Sequence, residues 1–343
     1  MMEMIKIKCP DINMPKSERI NFIIEQEFRK WITAPILGNL IRIFQPDFII
    51  DENGTTTEII EKVKQFVETH WDYRKKQKEA TTKEGEAARW LLKSEEIVED
   101  NAELIIECAK TLGLIGNEES DLDEINFLLP LGGARMSNLR RCELARKIID
   151  KNFLSKVDVV ALSGMRPLAE SEMTGSIETY APGAKYEFEA ISTGLEIAFG
   201  CGKGYTEEKN DDTNPNSNYV IRKYNKQYNA NNIYSVAAPS TAPELRRANS
   251  ADCFKFFFEK FEVAQGAKLL NCTSQIYCSY QQVRALFFAV EHNLIFDTIG
   301  FPFELNNPSQ SINIGQLSRP VNYLQEFKST VDAMYDFVCE FKS

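Results

Sequence analysis

Residues 128–145 read LLPLGGARMSNLRRCELA. An apolar run breaks at Gly132-Gly133 and enters a helix whose start carries Arg135, Asn138, Arg140 and Arg141. A hydrophobic strand that turns at paired glycines into an arginine-bearing helix is how an α/β protein forms an anion pocket from backbone N–H groups and the helix dipole. A second apolar run follows and ends in Leu162-Ser163-Gly164. From Ile125 onward, apolar runs at Ile125–Pro130, Val157–Leu162, Ile233–Ala238, Lys268–Cys272 and Ile295–Phe301 alternate with helical stretches at Ser137–Ile149, Ala184–Phe199, Glu244–Ala264 and Tyr280–Asn293. The expected fold class is therefore α/β: a Rossmann-like parallel sheet of about five strands flanked by helices, with its ligand at the carboxyl ends of the strands.

The first 120 residues lack this alternation. Apolar residues at helical spacing over Arg19–Phe44, Thr56–Trp71, Gly85–Leu92 and Glu96–Leu112 predict an all-helical N-terminal domain. Thr55–Thr57 offer an N-cap before Glu58, and Gly113 suits the residue that ends the last helix. The charged stretch Asp72–Glu86 interleaves lysines with acids and reads as a solvated connection. The expected organisation is a helical domain over 1–120 and a ligand-binding domain over 121–343, with a polar, asparagine-rich surface insertion at 202–232 and a C-terminal helix at 321–341 packed on one of the two.

The 343 residues are 43% hydrophobic and carry a net charge of −10, which argues against broad binding to nucleic acid or anionic membranes and leaves small anions as the partners of local arginine clusters. Eight cysteines with no C-x-x-C pair suit reduced, mostly buried thiols in a cytosolic compartment. With two histidines, His70 and His292, a histidine-based zinc site is nearly excluded and no metal ligands are assigned. No signal-peptide core or membrane span is evident, so the chain reads as soluble and cytoplasmic.

Four clusters follow the strands. The first is Gly132, Gly133, Arg135, Asn138 and Arg141, where one of Arg140 and Arg141 faces the pocket. The second is Ser163, Gly164 and Arg166, followed by Glu170 and Glu172, with Glu187 and Glu189 opening the next helix, as bases, hydroxyl binders or simple helix stabilisers. The third places Arg246, Asn249 and Asp252 on one face of a helix capped by Ser240 or Thr241. The fourth is Thr273 and Ser274 with Gln281 in the following helix.

These clusters in this order resemble the bacterial YdcF/SanA/ElyC-like family over about residues 124–302, through Leu131-Gly132-Gly133 with Asn138 and Arg141, Leu162-Ser163-Gly164, Glu187 or Glu189, Asn249-Ser250 with Asp252, and Thr273-Ser274 with Gln281 or Gln282. The resemblance implies a Rossmann-like fold, binding of S-adenosylmethionine in one branch, and envelope polysaccharide or lipid-carrier metabolism in others. The family's histidine after the Thr-Ser strand is replaced near Ile276-Tyr277.

The functional expectation is a protein that binds a nucleotide-like or phosphorylated small molecule, as a transferase- or hydrolase-type enzyme. Arg135, Arg141 and Arg246 neutralise the anion, and Glu187 or Asp252 acts as base or holds hydroxyls. On this reading Arg141→Ala abolishes ligand binding and spares the fold. The competing reading is a non-catalytic metabolite sensor or interaction module whose helical domain engages a protein partner.

Overall fold

The computed structural model describes residues 3–77, 92–134, 136–152, 154–173, 177–302 and 319–342. Arg135 and, apart from Leu92, the run Gly85–Leu92 lie outside them. The chain divides into two compact units: Met1–Asn117 with Gln275–Glu291 and Pro302–Ser343, and Glu118–Ser274 with His292–Phe301.

The first unit is helical. Lys16–Phe22 continues through a π-helical turn, Ile23–Phe28, into Arg29–Ile32. The single helix expected over Arg19–Phe44 then breaks, because Pro35 has no N–H to donate and holds Ala34 in an extended conformation. Pro35 opens a new helix, Pro35–Phe44, at the position proline tolerates best. Thr55 caps the helix Thr56–His70: its hydroxyl accepts from the Glu58 amide while the Glu58 carboxylate accepts from the Thr55 amide at 2.8 Å. The helix expected over Glu96–Leu112 is interrupted at Asn101, and Gly113 follows its second segment at φ +74°, the left-handed conformation that glycine adopts without penalty.

The C-terminal helix Pro320–Lys342 is grouped with this unit. Its buried Leu324, Phe327, Val331, Met334 and Val338 recur every three or four residues, one continuous apolar stripe. Phe327 packs against Trp31 and Trp71 with ring centroids 6.2 and 5.9 Å apart, and the buried Trp31 indole donates to the Leu112 carbonyl at 3.1 Å.

The second unit carries one sheet of seven strands: β1 (Phe127–Pro130), β2 (Asp158–Gly164), β3 (Tyr205–Lys209), β4 (Val220–Tyr224), β5 (Ile233–Ala238), β6 (Lys268–Ser274) and β7 (Ile295–Phe301). Their order is β3-β4-β5-β2-β1-β6-β7, with β5, β2, β1, β6 and β7 parallel. The two strands beyond the expected five come from the polar stretch 202–232, which forms an antiparallel hairpin on the edge of the sheet. Its sequence hides this because the inner face of the hairpin is itself part polar: Glu207 and Arg222 lie directly opposite and pair at 2.8 Å on the same face as the buried Val220 and Tyr224, with the guanidinium over the Phe188 ring.

Among the described residues, helices α1 (Ser137–Asn152), α2 (Glu187–Phe199) and α3 (Ser250–Lys260) pack on the sheet. The β1-α1-β2 and β2-α2-β5 connections run toward one edge, and the connection through α3 runs back across the sheet from β5 to β6. Right-handed crossovers in opposite directions put α1 and α2 on one face and α3 on the other. The strand order consequently reverses between β1 and β6, the place where a doubly wound sheet opens a crevice at its carboxyl ends.

Candidate functional site

Side chains of the protein itself occupy that crevice. Arg141 is buried, 3% exposed, and one Nη reaches the carbonyls of Leu131 (2.6 Å) and Gly132, while the other donates to Ser274 Oγ at 3.1 Å. One guanidinium thus ties the end of β1 to the end of β6. Arg140, a third of a helical turn away, points outward to Glu143 at 2.8 Å. The Gly-Gly turn is closed with equal economy. The Gly132 amide donates to Leu162 O at 2.6 Å, and Asn138, fully buried, accepts from the Gly133 amide and donates to the Gly133 carbonyl. Both glycines are needed for close approach. A Cβ at 133 would lie 2.7–2.9 Å from the Arg141 guanidinium; one at 132 would meet Glu187 Oε1 and stand 2.9 Å from Ser163 Cβ.

Beside this turn, Arg166 bridges two carboxylates. Its Nη atoms grip Glu172 at 2.7 and 2.9 Å, a bidentate fork, and its Nε donates to Glu187 at 2.7 Å. Glu172 is completely buried, whereas the Arg166 and Glu187 side chains keep 15% and 12% of their surface exposed. Burial works against the Arg166 charge, but the two carboxylates outweigh it and hold the guanidinium firmly protonated. Glu187 opens α2, as its position after Tyr186 suggests, and its own amide donates to Arg166 O at 2.9 Å. Glu172, which in the sequence merely follows the second strand, is the anchor of the cluster; no periodicity marks it, because it lies in a three-residue helical turn, Glu170–Glu172.

Gly132, Gly133, Asn138, Arg141, Ser163, Arg166, Glu187 and Ser274 are therefore brought into one connected group. Ser163 Oγ donates to Val236 O at 2.9 Å, and Gly164 faces Ala248, whose Cβ would be 3.2 Å from an added Cβ. Thr273 lies buried next to Ser274, and its hydroxyl has no hydrogen-bond partner among the described residues. Gln281 falls in the helical unit, on Cys278–His292.

Arg246, Asn249 and Asp252 do meet, but not on one helix face. The helix expected from Glu244 starts at Ser250, because Asn249 is the cap: its side chain accepts from the Ala251 and Asp252 amides at 2.9 and 3.1 Å. Asp252 answers by accepting from the Asn249 amide (2.8 Å), from the Thr241 amide and hydroxyl (3.0 and 2.6 Å), and from Arg246. Burial pushes the Asp252 carboxyl up, but Arg246, Thr241 and the amides win and hold it below the ordinary carboxylate range. A carboxyl depressed in the folded state stabilises fully above its unfolded pKa, about 3.9, and loses that contribution as pH falls through the folded value. Asp252→Asn is accordingly expected to flatten the loss of stability between about pH 5 and about pH 3 relative to the parent protein. Parallel acid-side urea profiles for the two proteins would show that the cap is not pH-linked.

The buried Cys253 thiol donates to Ser163 O at 3.3 Å, and burial pushes it well above the ordinary thiol range. Among the described residues no group of three or more His, Cys, Asp or Glu side chains is placed to hold a metal ion, and no helix is long and apolar enough to cross a membrane. Within the sheet unit, a cavity of about 540 Å³ lies at the opposite end of the strands, between Phe127, Asp158, Tyr234 and Phe261.

Compared with known proteins, residues 18–113 match the family model described as the Rv3785 N-terminal domain. Uncharacterized protein Rv3785 of Mycobacterium tuberculosis is 28% identical over 283 residues, covering 77% of this chain and 76% of the relative, and uncharacterized protein Mb3814 of Mycobacterium bovis matches to the same extent. No solved structure matches the chain. These findings overturn the resemblance to the YdcF/SanA/ElyC-like family. The Leu-Gly-Gly and Leu-Ser-Gly tripeptides that suggested it have a local cause here: they end β1 and β2 where Glu187, Arg141 and Ala248 need backbone without a side chain. What the chain is similar to, over most of its length, is a group of uncharacterized mycobacterial proteins of the Rv3785 kind.

Proposed function

We propose that the sheet-bearing unit binds a phosphorylated or nucleotide-like small molecule at the carboxyl ends of β1, β2 and β6. The observation that carries this reading is the reversal of strand order between β1 and β6, with Arg141, Arg166, Glu172 and Glu187 gathered beside it among the described residues. Arg166 and Glu187 form the accessible rim, and Arg141 and Glu172 form the buried floor. Binding is favoured over turnover because both candidate bases are engaged: Glu187 is paired with Arg166, and Asp252 completes a helix cap. Any transferase or hydrolase step would fall to Glu187, the more exposed of the two.

The test is thermal unfolding of the full chain with inorganic phosphate, pyrophosphate, AMP, ATP and a sugar nucleotide. A ligand at one hundred times its dissociation constant stabilises the protein by about 2.7 kcal/mol, a readily measured rise in Tm. The absence of a shift with every one of these anions would overturn the reading.

A further inference from the structure

The Glu187 carboxylate lies where a ligand's oxyanion would be expected to lie. One of its oxygens accepts from Arg166 Nε at 2.7 Å, and the other rests against Gly132, at the strand end where a side chain would collide with it. The two carboxylates on Arg166 differ in kind. Glu172 takes the bidentate fork and is fully buried, so it is the fixed counter-charge; Glu187 takes the remaining Nε and sits at the partly exposed rim, on the first residue of α2. Among the described residues, Arg166 is shared by Glu172 and Glu187, with the Arg141 guanidinium held on the neighbouring strand-end carbonyls. With Glu187 turned out to solvent, Arg166 keeps Glu172 alone and has an open Nε donor beside the Gly132-Gly133 turn.

We propose that Glu187 is a built-in placeholder on Arg166 and that the group which displaces it is a phosphate monoester or terminal phosphoryl group. The inference rests on the binding reading above and adds the ligand class. A carboxylate on the same chain competes at high effective concentration, so an entering group must offer more than one negative charge. A phosphate monoester carries about −1.5 to −2 at neutral pH and presents three acceptor oxygens, whereas a phosphodiester or a carboxylate carries a single charge. The guanidinium, planar and permanently charged, suits phosphate oxygens as well as it suits Glu187.

Isothermal titration calorimetry of the full chain with phenyl phosphate, dimethyl phosphate and acetate, at about pH 8 where the monoester is fully dianionic, tests this. The parent protein is expected to bind phenyl phosphate and to bind the two monoanions too weakly to measure. Glu187→Gln and Glu187→Ala both remove the competing charge at a rim position, and each is expected to tighten phenyl phosphate binding by roughly tenfold or more, since the binding-competent state no longer has to be opened. Each is also expected to bring dimethyl phosphate into the measurable range. Circular dichroism melting confirms that both variants are folded. Equal or weaker phenyl phosphate binding in both variants overturns the placeholder role and leaves the binding reading standing. Nucleotide-induced thermal shifts without any phenyl phosphate binding overturn the monoester class. No shift with any anion in the thermal panel removes the binding reading itself.

Discussion

Arg141→Ala is expected to destabilise the sheet-bearing unit by about 3–5 kcal/mol, read as a lower urea midpoint of its transition. The guanidinium is almost wholly buried and spends its donors on Leu131 O, Gly132 O and Ser274 Oγ. Truncation orphans these acceptors, at roughly 1–3 kcal/mol for each that stays dry, and empties a volume that the close-packed strand ends cannot refill. From sequence, the same substitution is expected to remove ligand and spare the fold; burial reverses the ranking of those two effects. Arg141→Lys is expected to recover only part of the loss, because a point charge cannot fork across two strands. A parental urea midpoint for Arg141→Ala would mean that these bonds contribute little to stability.

Arg166→Met is expected to cost a similar 3–5 kcal/mol, by a different route. It takes the bidentate guanidinium away from Glu172, a carboxylate with no exposure that also accepts from the Ala169 amide at 3.0 Å, and a buried charge that loses its counter-charge is among the most expensive defects a fold can carry. Adding Glu172→Gln to Arg166→Met is expected to return a large part of the loss, since the neutral amide no longer requires a counter-charge. The double-mutant cycle should give a coupling of about 0.5–3 kcal/mol. Strict additivity in urea unfolding would show that Arg166 and Glu172 do not act as a pair. Glu187→Gln, at the rim, should cost far less than either buried change, and for that reason it can report on ligand binding.

Much of the fold is legible in the residues. Each of the five parallel strands overlaps one of the apolar runs, and Ile233–Ala238 and Ile295–Phe301 match them end to end. Helix Ser137–Asn152 begins at the serine that follows the Gly-Gly turn, and Thr55 and Gly113 perform the capping roles their residue types suit. The hairpin Tyr205–Tyr224 is not legible in the polar insertion, because an edge hairpin carries no apolar alternation strong enough to stand out. The start of α3 was misplaced for a related reason: Ser240, Thr241 and Asn249 are all good caps, and only the packing of α3 on β2 and β5 selects the last.

Candidate site residues divide along the same line. Residue types sufficed to single out Gly132, Gly133, Arg141, Arg166 and Glu187, because charge next to glycine at a strand end is conspicuous in a chain. Their roles did not follow, because a role depends on what lies across the gap. Periodicity and local chemistry act within a few residues, so the five parallel strands, most helices, the Thr55 and Gly113 caps and the places where polar groups collect can be read from the chain alone. Which arginine is consumed by its own backbone, which is shared between Glu172 and Glu187, and which acid merely closes a helix end were decided by tertiary structure. Those assignments depend on distances between β1, β2 and β6 and on how much water reaches each charge, quantities that exist only once strands far apart in the chain lie side by side.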